Sequence, residues 1–163
     1  IDSGVRHRIV SGEYATRRRQ CEEACRRLGV PELRDVPLGK LPDVEALDEP
    51  YRRRARHVLT EDARVLQAVA ALRANDPAQV GELFYASHAS MRDDYEMSVP
   101  QVDALVEMAS SERDVYGARL TGGGFGGSIV ILAKRGSGRA VADRVAERYR
   151  SECAETPTIL LPA

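Results

Sequence analysis

Residues 118–132 read ARLTGGGFGGSIVIL, with five glycines among the six residues 122–127. Glycine loses more conformational freedom on folding than any other residue, so such a run indicates backbone angles or close approaches that a Cβ would forbid. Residues 128–133 are mainly β-branched or aliphatic and lack a helical period. The stretch therefore predicts a strand, a glycine loop and a second strand, with both strands in one sheet.

Three interpretations of this loop are open. It can be a tight or bulged connection between two strands. A dinucleotide-binding loop needs a helix after its glycines, whereas a strand is predicted here, and no Lys-Ser or Lys-Thr pair follows Gly127 as a P-loop would require. The remaining interpretation is a loop whose backbone lies close to a bound phosphate or sugar, or close to another loop that holds one.

Helical patterns account for most of the chain before the loop. Helices are predicted at residues 11–28, 51–75, 77–92 and 100–109. Asp76 is expected to cap the third of these, with Pro77 at its first position. Ser98 or Val99 is expected to cap the fourth.

Shorter elements complete the predicted fold. Residues 31–50 hold four of the eight prolines, so we expect a connection with at most a short helix near residues 44–47. An opening strand is predicted near residues 5–9, a helix at residues 139–153 and a last strand at residues 156–161. The fold class is α+β in two layers, a small and mostly antiparallel sheet covered by helices.

Composition limits the functions that the chain can serve. Lys+Arg 24 against Asp+Glu 25 gives a net charge of −1, which leaves no basic field for nucleic acid or an anionic membrane. No apolar run approaches the roughly 20 residues that span a bilayer, and no signal segment opens the chain. We expect a cytoplasmic protein with a small-molecule partner. Three cysteines, Cys21, Cys25 and Cys153, fit reduced structural thiols.

A second group of polar residues lies at residues 87–96. His88 is one helical turn from Arg92 and near Asp93 and Asp94, an arrangement that suits an acid/base set. The same residues fit the end of a helix whose charges lie in solvent or in a capping network. We favour this second, structural interpretation.

The remaining candidates are isolated. His7 and His57 stand apart from other ligand types, so no metal site is predicted. The arginines at residues 17–19 fit either a phosphate site or a solvated helix face, and the second is the more common.

The chain opens with Ile1 rather than Met, in a stretch that is typical of the middle of a protein, so we expect residues 1–163 to be one domain of a longer chain.

Three segments together resemble a known family. SGEYATRRRQCEEA at residues 11–24, the long stretch at residues 52–107 and the loop segment at residues 118–132 are similar, in order and spacing, to the C-terminal half of galactokinases, members of the GHMP kinase superfamily. The loop alone indicates only the superfamily. The residues that narrow the resemblance to galactokinases are residues 87–96 with Pro100 and Asp103, together with Glu13, Tyr14, Arg17 and Arg18.

The resemblance implies transfer of the γ-phosphoryl group of ATP to the anomeric hydroxyl of α-D-galactose, with Mg²⁺. In that family the phosphate loop, the metal ligands and the catalytic aspartate lie in the N-terminal half, so no catalytic residue is expected here and this chain alone is expected to be inactive. Its partners would be galactose, ATP and the N-terminal domain. The alternatives are a kinase for N-acetylgalactosamine or another sugar, a non-catalytic galactose- or nucleotide-sensing regulator, and a free-standing α+β module.

The resemblance also assigns roles to particular residues. Tyr14 matches a tyrosine that contacts the sugar, and its alternative role is a core aromatic at a helix start. The glycine loop matches a motif that borders the active-site cleft and supports the phosphate loop. Its residues in this chain are Gly122, Gly123, Gly124, Gly126 and Gly127. Ser128 stands where the family usually has cysteine, a small change that should pack similarly.

Overall fold

The computed structural model describes residues 1–5 and 12–161 of the chain. Within these residues the chain forms six α-helices and two β-strands. They are α1 (Glu13–Leu28), α2 (Leu41–Glu45), α3 (Tyr51–Arg73), α4 (Pro77–Asp93), α5 (Pro100–Ser110), β1 (Val115–Thr121), β2 (Ser128–Ala133) and α6 (Gly138–Cys153). Two short 3₁₀ turns, Leu33–Asp35 and Leu38–Lys40, lie between α1 and α2.

The two strands form an antiparallel hairpin. Its register runs from Val115 opposite Ala133 to Thr121 opposite Ser128, so the glycine loop at residues 122–127 is the connection between the strands. Helices α4 and α5 pack on β1, and α6 packs on α5 and β2. The predicted α+β class, a small antiparallel sheet covered by helices, is confirmed.

The predicted strands at the two ends of the chain have different outcomes. The opening strand at residues 5–9 lies largely outside the described residues. The last strand, predicted at residues 156–161, is wrong in extent, because in the described chain Thr158 alone pairs there, through two hydrogen bonds with Asp2 of 2.8 and 3.0 Å. Pro157 has no backbone N–H to donate, which prevents a continuous ladder.

The predicted helices are confirmed, with small differences at their ends. Asp76 caps α4 as expected, because its Oδ1 atom accepts the backbone N–H of Gln79 at 3.0 Å. Val99 occupies the cap position of α5, while the Ser98 hydroxyl donates to the carboxylate of Asp103 inside the first turn. These caps fix where α4 and α5 begin.

The connection before α3 contains one short helix. It spans Leu41–Glu45 rather than the predicted residues 44–47, because Pro42 fits the first turn of a helix and moves its start forward. Among the described helices, none combines the length and the apolar character that crossing a bilayer requires.

The apolar interior has two parts, which we call the sheet core and the helical core. The sheet core, between the hairpin and α5 and α6, is centred on Val102, Leu105, Leu120, Val141 and Tyr149. The helical core, between α1, α2 and α3, is centred on Ala24, Leu33, Val44, Ala55 and Leu59. Helix α4 packs against α3 on one side and against β1 on the other, so it joins the two cores.

Candidate functional site

The glycine loop adopts a backbone that ordinary residues rarely allow. Positive φ angles occur at Gly122 (95°), Gly124 (78°), Phe125 (58°), Gly126 (122°) and Gly127 (85°). Phe125 is the unusual member, because a bulky side chain in the left-handed region is strained. Contacts from outside the loop must therefore hold it in place.

One end of the loop is held by Met97, which follows α4. The backbone N–H of Phe125 donates to the Met97 carbonyl oxygen at 2.6 Å. A Cβ on Gly124 would lie 2.8 Å from the same oxygen, so the two backbones are in direct contact. Gly123 lacks such a neighbour among residues 1–5 and 12–161, where a Cβ at this position would meet no atom within 4 Å.

The other end of the loop is held by the start of the chain. The carbonyl oxygen of Gly127 accepts the backbone N–H of Ser3 at 2.8 Å, and Ile129 donates to the carbonyl of Ile1 at 2.8 Å. The loop is thus anchored at Phe125 and at Gly127, while Gly122 and Gly123, which precede both anchors, have open space beside them among the described residues.

Met97 belongs to a bend at residues 94–97 that arginines hold. Arg17 of α1 donates from Nε to the carbonyl oxygen of Tyr95 at 2.7 Å, and from Nη2 to that of Glu96 at 3.0 Å. Arg54 of α3 is 1% exposed and donates to the Asp94 carbonyl and to the Glu96 carboxylate. It also donates, at 2.8 Å, to the oxygen of a side-chain amide on α1. The bend is therefore fixed to both α1 and α3.

Tyr14 lies on the face of α1 that meets this bend. Tyr14, Arg17 and Cys21 are three and four residues apart, so they share one helix face. Cys21 Sγ lies 3.7 Å from the hydroxyl of Tyr95, which places that face against the bend. Tyr14 itself is 69% exposed, so the alternative role of a core aromatic is wrong within the described chain. Its assignment as a sugar contact stays a prediction.

Arg17 also brings α1 to the glycine loop. Its guanidinium carbon lies 5.9 Å from the centre of the Phe125 ring, within the range of a cation–π contact. The first turn of α1, the bend at residues 94–97 and the glycine loop therefore form one continuous surface. We call this surface the loop face, and it carries both features that the sequence assigned to a site.

The polar residues of α4 serve the packing of the helices. His88 is buried; its Nδ1 atom accepts the backbone N–H of Leu120 at 3.3 Å, and its Nε2 atom lies 3.2 Å from the carboxylate of Asp103. Ser90 donates to Asp94 at 3.0 Å and lies 2.9 Å from Nδ1 of His57. These contacts join α3, α4, α5 and β1, which supports the structural interpretation of this segment.

Burial and charge perturb several groups around the bend. Burial lowers the pKa of His57 to about 4, so this imidazole is neutral at pH 7. Hydrogen bonds, first from Arg54 and then from Arg53, lower the pKa of Glu96, which keeps its carboxylate ionised. Burial raises the pKa values of Cys21 and Cys25. Both thiols are therefore protonated, in agreement with a structural role.

A well-formed cavity lies elsewhere among the described residues. It measures about 950 Å³ and lies between α1 and α3, where its lining includes Cys21, Cys25, His57 and Tyr95. Neither Tyr14 nor the glycine loop lines it. The loop face is open, a shape that suits one side of a cleft whose other side comes from a further part of a protein.

Sequence reasoning missed the residues that build the loop face. Met97 and Phe125 had no assigned role. The arginines at residues 17–19 were interpreted as a group, and the favoured solvated helix face is wrong for Arg17, whose side chain is 16% exposed and bonds the bend. The sequence held a signal for Arg17, because this residue falls three positions after Tyr14 on the same helix face. The contact between Met97 and the loop has no such signal, since it joins segments that are distant in the chain.

Comparison with known proteins shows which family the chain belongs to and which proteins it is similar to. Residues 68–151 match the family of GHMP kinases, C terminal. The galactokinase of Pasteurella multocida (strain Pm70) is 48% identical over 157 residues, which cover 93% of this chain and 41% of that protein. The galactokinase of Haemophilus influenzae (strain ATCC 51907) is 49% identical over 154 residues, covering 91% and 40%. The chain spans about two fifths of the length of these curated relatives.

A solved structure has the same fold. The crystal structure of Lactococcus lactis galactokinase complexed with galactose matches with a TM-score of 0.89 and 29% sequence identity. The match covers 96% of this chain and 42% of that chain.

Proposed function

Because the chain belongs to the GHMP kinases, whose C-terminal family its residues 68–151 match, we propose that it is the C-terminal domain of a galactokinase. The full-length enzyme would transfer the γ-phosphoryl group of ATP to the anomeric hydroxyl of galactose. Identities of 48% and 49% with galactokinases over more than nine tenths of the chain support this proposal. The observation that carries it is the loop face, where Arg17 joins the helix of the exposed Tyr14 to the bend and to the anchored glycine loop.

The contribution of the glycine loop is a backbone surface. With no side chain at Gly122 or Gly123 and open space beside both, a phosphate-binding segment from another domain can approach the main chain closely. Phosphoryl transfer depends on positioning and on exclusion of water, and small displacements of the reacting groups are expensive in rate. The loop would therefore form a fixed wall against which the phosphate-binding segment is held.

Tyr14 would contact the sugar. A phenol offers a flat apolar face and a hydroxyl that donates and accepts hydrogen bonds, which suits a hexose. Tyr14 is exposed in the first turn of α1, the helix that Arg17 joins to the bend and the loop. It would orient the sugar so that its anomeric hydroxyl faces the phosphoryl group.

The proposed reaction uses Mg²⁺ together with ATP. Among residues 1–5 and 12–161, no group of three His, Cys, Asp or Glu side chains is placed to hold a metal ion. We therefore assign no metal ligand to these residues. ATP and Mg²⁺ would be bound chiefly by the N-terminal domain of the same enzyme.

The test is product identification with a panel of sugars. The full-length protein is incubated with ATP, Mg²⁺ and either galactose, N-acetylgalactosamine or glucose, and the products are identified by ³¹P NMR. Galactose 1-phosphate is the expected product. Faster turnover of N-acetylgalactosamine than of galactose would identify N-acetylgalactosamine as the substrate. Folded protein that binds galactose without forming any sugar phosphate would indicate a sensor instead of an enzyme.

A further inference from the structure

Among the five arginines of α1, the neighbours Arg17 and Arg18 have different environments. Arg17 has a side chain that is 16% exposed and points onto the bend at residues 94–97. Arg18 is 73% exposed and pairs with Glu22 one turn along the same helix at 2.9 Å. Only Arg17 of these two contacts another element of the fold, although both have the same chemistry.

The contact of Arg17 depends on the shape of its guanidinium group. Two nitrogen atoms of one planar group donate to the carbonyl oxygens of consecutive residues, Tyr95 and Glu96, at 2.7 and 3.0 Å. Lysine has the same charge but a single nitrogen atom at its end, so it cannot reproduce this paired arrangement. The geometry therefore requires an arginine and not simply a positive charge.

Two routes lead from Arg17 to the glycine loop. Through the backbone, the carbonyls that it holds are followed directly by Met97, whose own carbonyl accepts the N–H of Phe125 at 2.6 Å. Through side chains, the guanidinium group lies over the ring of Phe125. Both routes end at the residue whose left-handed backbone needs external support.

Arg17 also fixes the helix that carries Tyr14. Helix α1 starts at Gly12 without a hydrogen bond from a capping side chain. Arg17 lies one turn after Tyr14, so its bonds to the bend tether the beginning of the helix. A single side chain thus connects the two parts of the loop face.

We propose that Arg17 is a positioning residue that sets the glycine loop relative to Tyr14 without contacting substrate itself. Arg54 contacts the same bend but has a different role, because it is fully buried and bonds both the bend and α1 from its place in α3. Loss of Arg54 is expected to affect folding, whereas loss of the paired bonds of Arg17 is expected to change the loop in a folded protein. The kinetic consequence rests on the proposed galactokinase function, and the structural consequence does not.

The test compares Arg17→Lys with Arg18→Lys in the full-length protein. Hydrogen exchange is measured for the amides of residues 124–126, with the amides of β1 as an internal reference. Arg17→Lys is expected to increase exchange in the loop by about tenfold, because a locally opened segment loses the protection of its hydrogen bonds. Arg18→Lys is expected to leave the loop unchanged, and neither variant should alter β1.

Kinetics provide the second readout. Arg17→Lys is expected to lower kcat with galactose by about 10- to 100-fold, the scale for a small misplacement of reacting groups. Arg18→Lys should retain the parental kcat. Faster loop exchange in a protein without galactokinase activity would support the positioning role and reject the proposed function. Unchanged loop exchange in Arg17→Lys would overturn the positioning role whatever the activity.

A further variant tests the same proposal if Arg17→Lys does not fold. Phe125→Leu keeps the backbone bond to Met97 and removes the ring beneath the guanidinium group. Its loop amides are expected to exchange faster than those of the parent. Loop exchange equal to that of the parent would contradict the proposal.

Discussion

Gly123 and Gly124 are neighbours in the chain with opposite tolerance for a side chain. Gly124 has a φ of +78° and would place a Cβ 2.8 Å from the backbone oxygen of Met97. Gly123 lies outside the left-handed region and would place its Cβ in open space. Sequence reasoning treated the two residues as equivalent, and the structure separates them.

Gly124→Ala in the full-length enzyme is expected to reduce stability by roughly 1 kcal/mol or more, through strain and the contact with Met97. It should also reduce activity per folded molecule, because the loop would be displaced in the cleft. Gly123→Ala is the matched control and should be close to parental in both. Melting temperature and specific activity well below it are measured for each. Parental activity per folded molecule in Gly124→Ala would show that the loop is only a strand connection.

Tyr14→Ala is expected to weaken the use of galactose by roughly 1 to 3 kcal/mol in transition-state binding, through loss of an apolar face and a hydroxyl. Because Tyr14 is largely exposed, its removal should leave the melting temperature unchanged. The measurements are kcat/KM for galactose and KM for ATP. Tyr14→Phe, as control, separates the ring from the hydroxyl. An unchanged kcat/KM for galactose in Tyr14→Ala would exclude Tyr14 from the site.

His57 makes stability depend on pH. Its pKa is about 4 in the folded protein, against 6.5 for a solvent-exposed imidazole, so the unfolded chain binds the proton more tightly. The stabilisation is therefore complete above pH 6.5 and is lost as the pH falls toward 4, by about 2 kcal/mol between pH 7 and pH 5. Urea unfolding at both pH values, for the parent and His57→Gln, measures this. An equal loss of stability in both proteins would contradict the assignment.

Helix α4 and strand β1 approach each other at a pair of glycines. A Cβ on Gly81 would lie 2.0 Å from the carbonyl oxygen of Tyr116, and one on Gly117 would lie 2.3 Å from the carbonyl oxygen of Gly81. Both neighbours are backbone atoms, which cannot rotate away as a side chain can. This contact sets the distance between the helix that joins the two cores and the hairpin that carries the glycine loop.

Gly81→Ala is therefore expected to destabilise the protein by roughly 3 kcal/mol, the upper part of the range for overpacked interiors. Gly39→Ala is the control, because a Cβ at that position meets no atom within 4 Å. Chemical unfolding of both variants gives the comparison. A loss below about 0.5 kcal/mol in Gly81→Ala, the usual scale of surface substitutions, would show that α4 moves freely on the hairpin.

Elements with strong local signals could be predicted from the sequence. The start of α4 at Asp76 and Pro77 was predictable because a cap and a proline act on adjacent residues. The extent of the strand at residues 156–161 was not, since its pairing depends on a partner at the other end of the chain. The site roles of Tyr14 and of the glycine loop were assigned by their resemblance to galactokinases. The role of Arg17 required the structure, because its acceptors lie 78 and 79 residues away.

In the molecule as a whole, the loop face lies where the two cores meet. Tyr14 is carried by α1, which belongs to the helical core, and the glycine loop is carried by the hairpin of the sheet core. Arg17 and Arg54 both donate hydrogen bonds to the bend at residues 94–97. The relative position of the two cores therefore sets the geometry of the candidate site, so substitutions between the cores should change activity as well as stability.

Galactose-dependent formation of ADP, measured in parallel for the full-length protein and for the 163-residue chain alone, tests whether this domain is one wall of a galactokinase cleft. We expect turnover by the full-length protein. We expect none by the chain alone, because the described residues provide an anchored loop and the proposed sugar contact but no assigned catalytic group or metal ligand. Turnover by the isolated chain at an ordinary enzyme rate, or a folded full-length protein without turnover, would contradict this account.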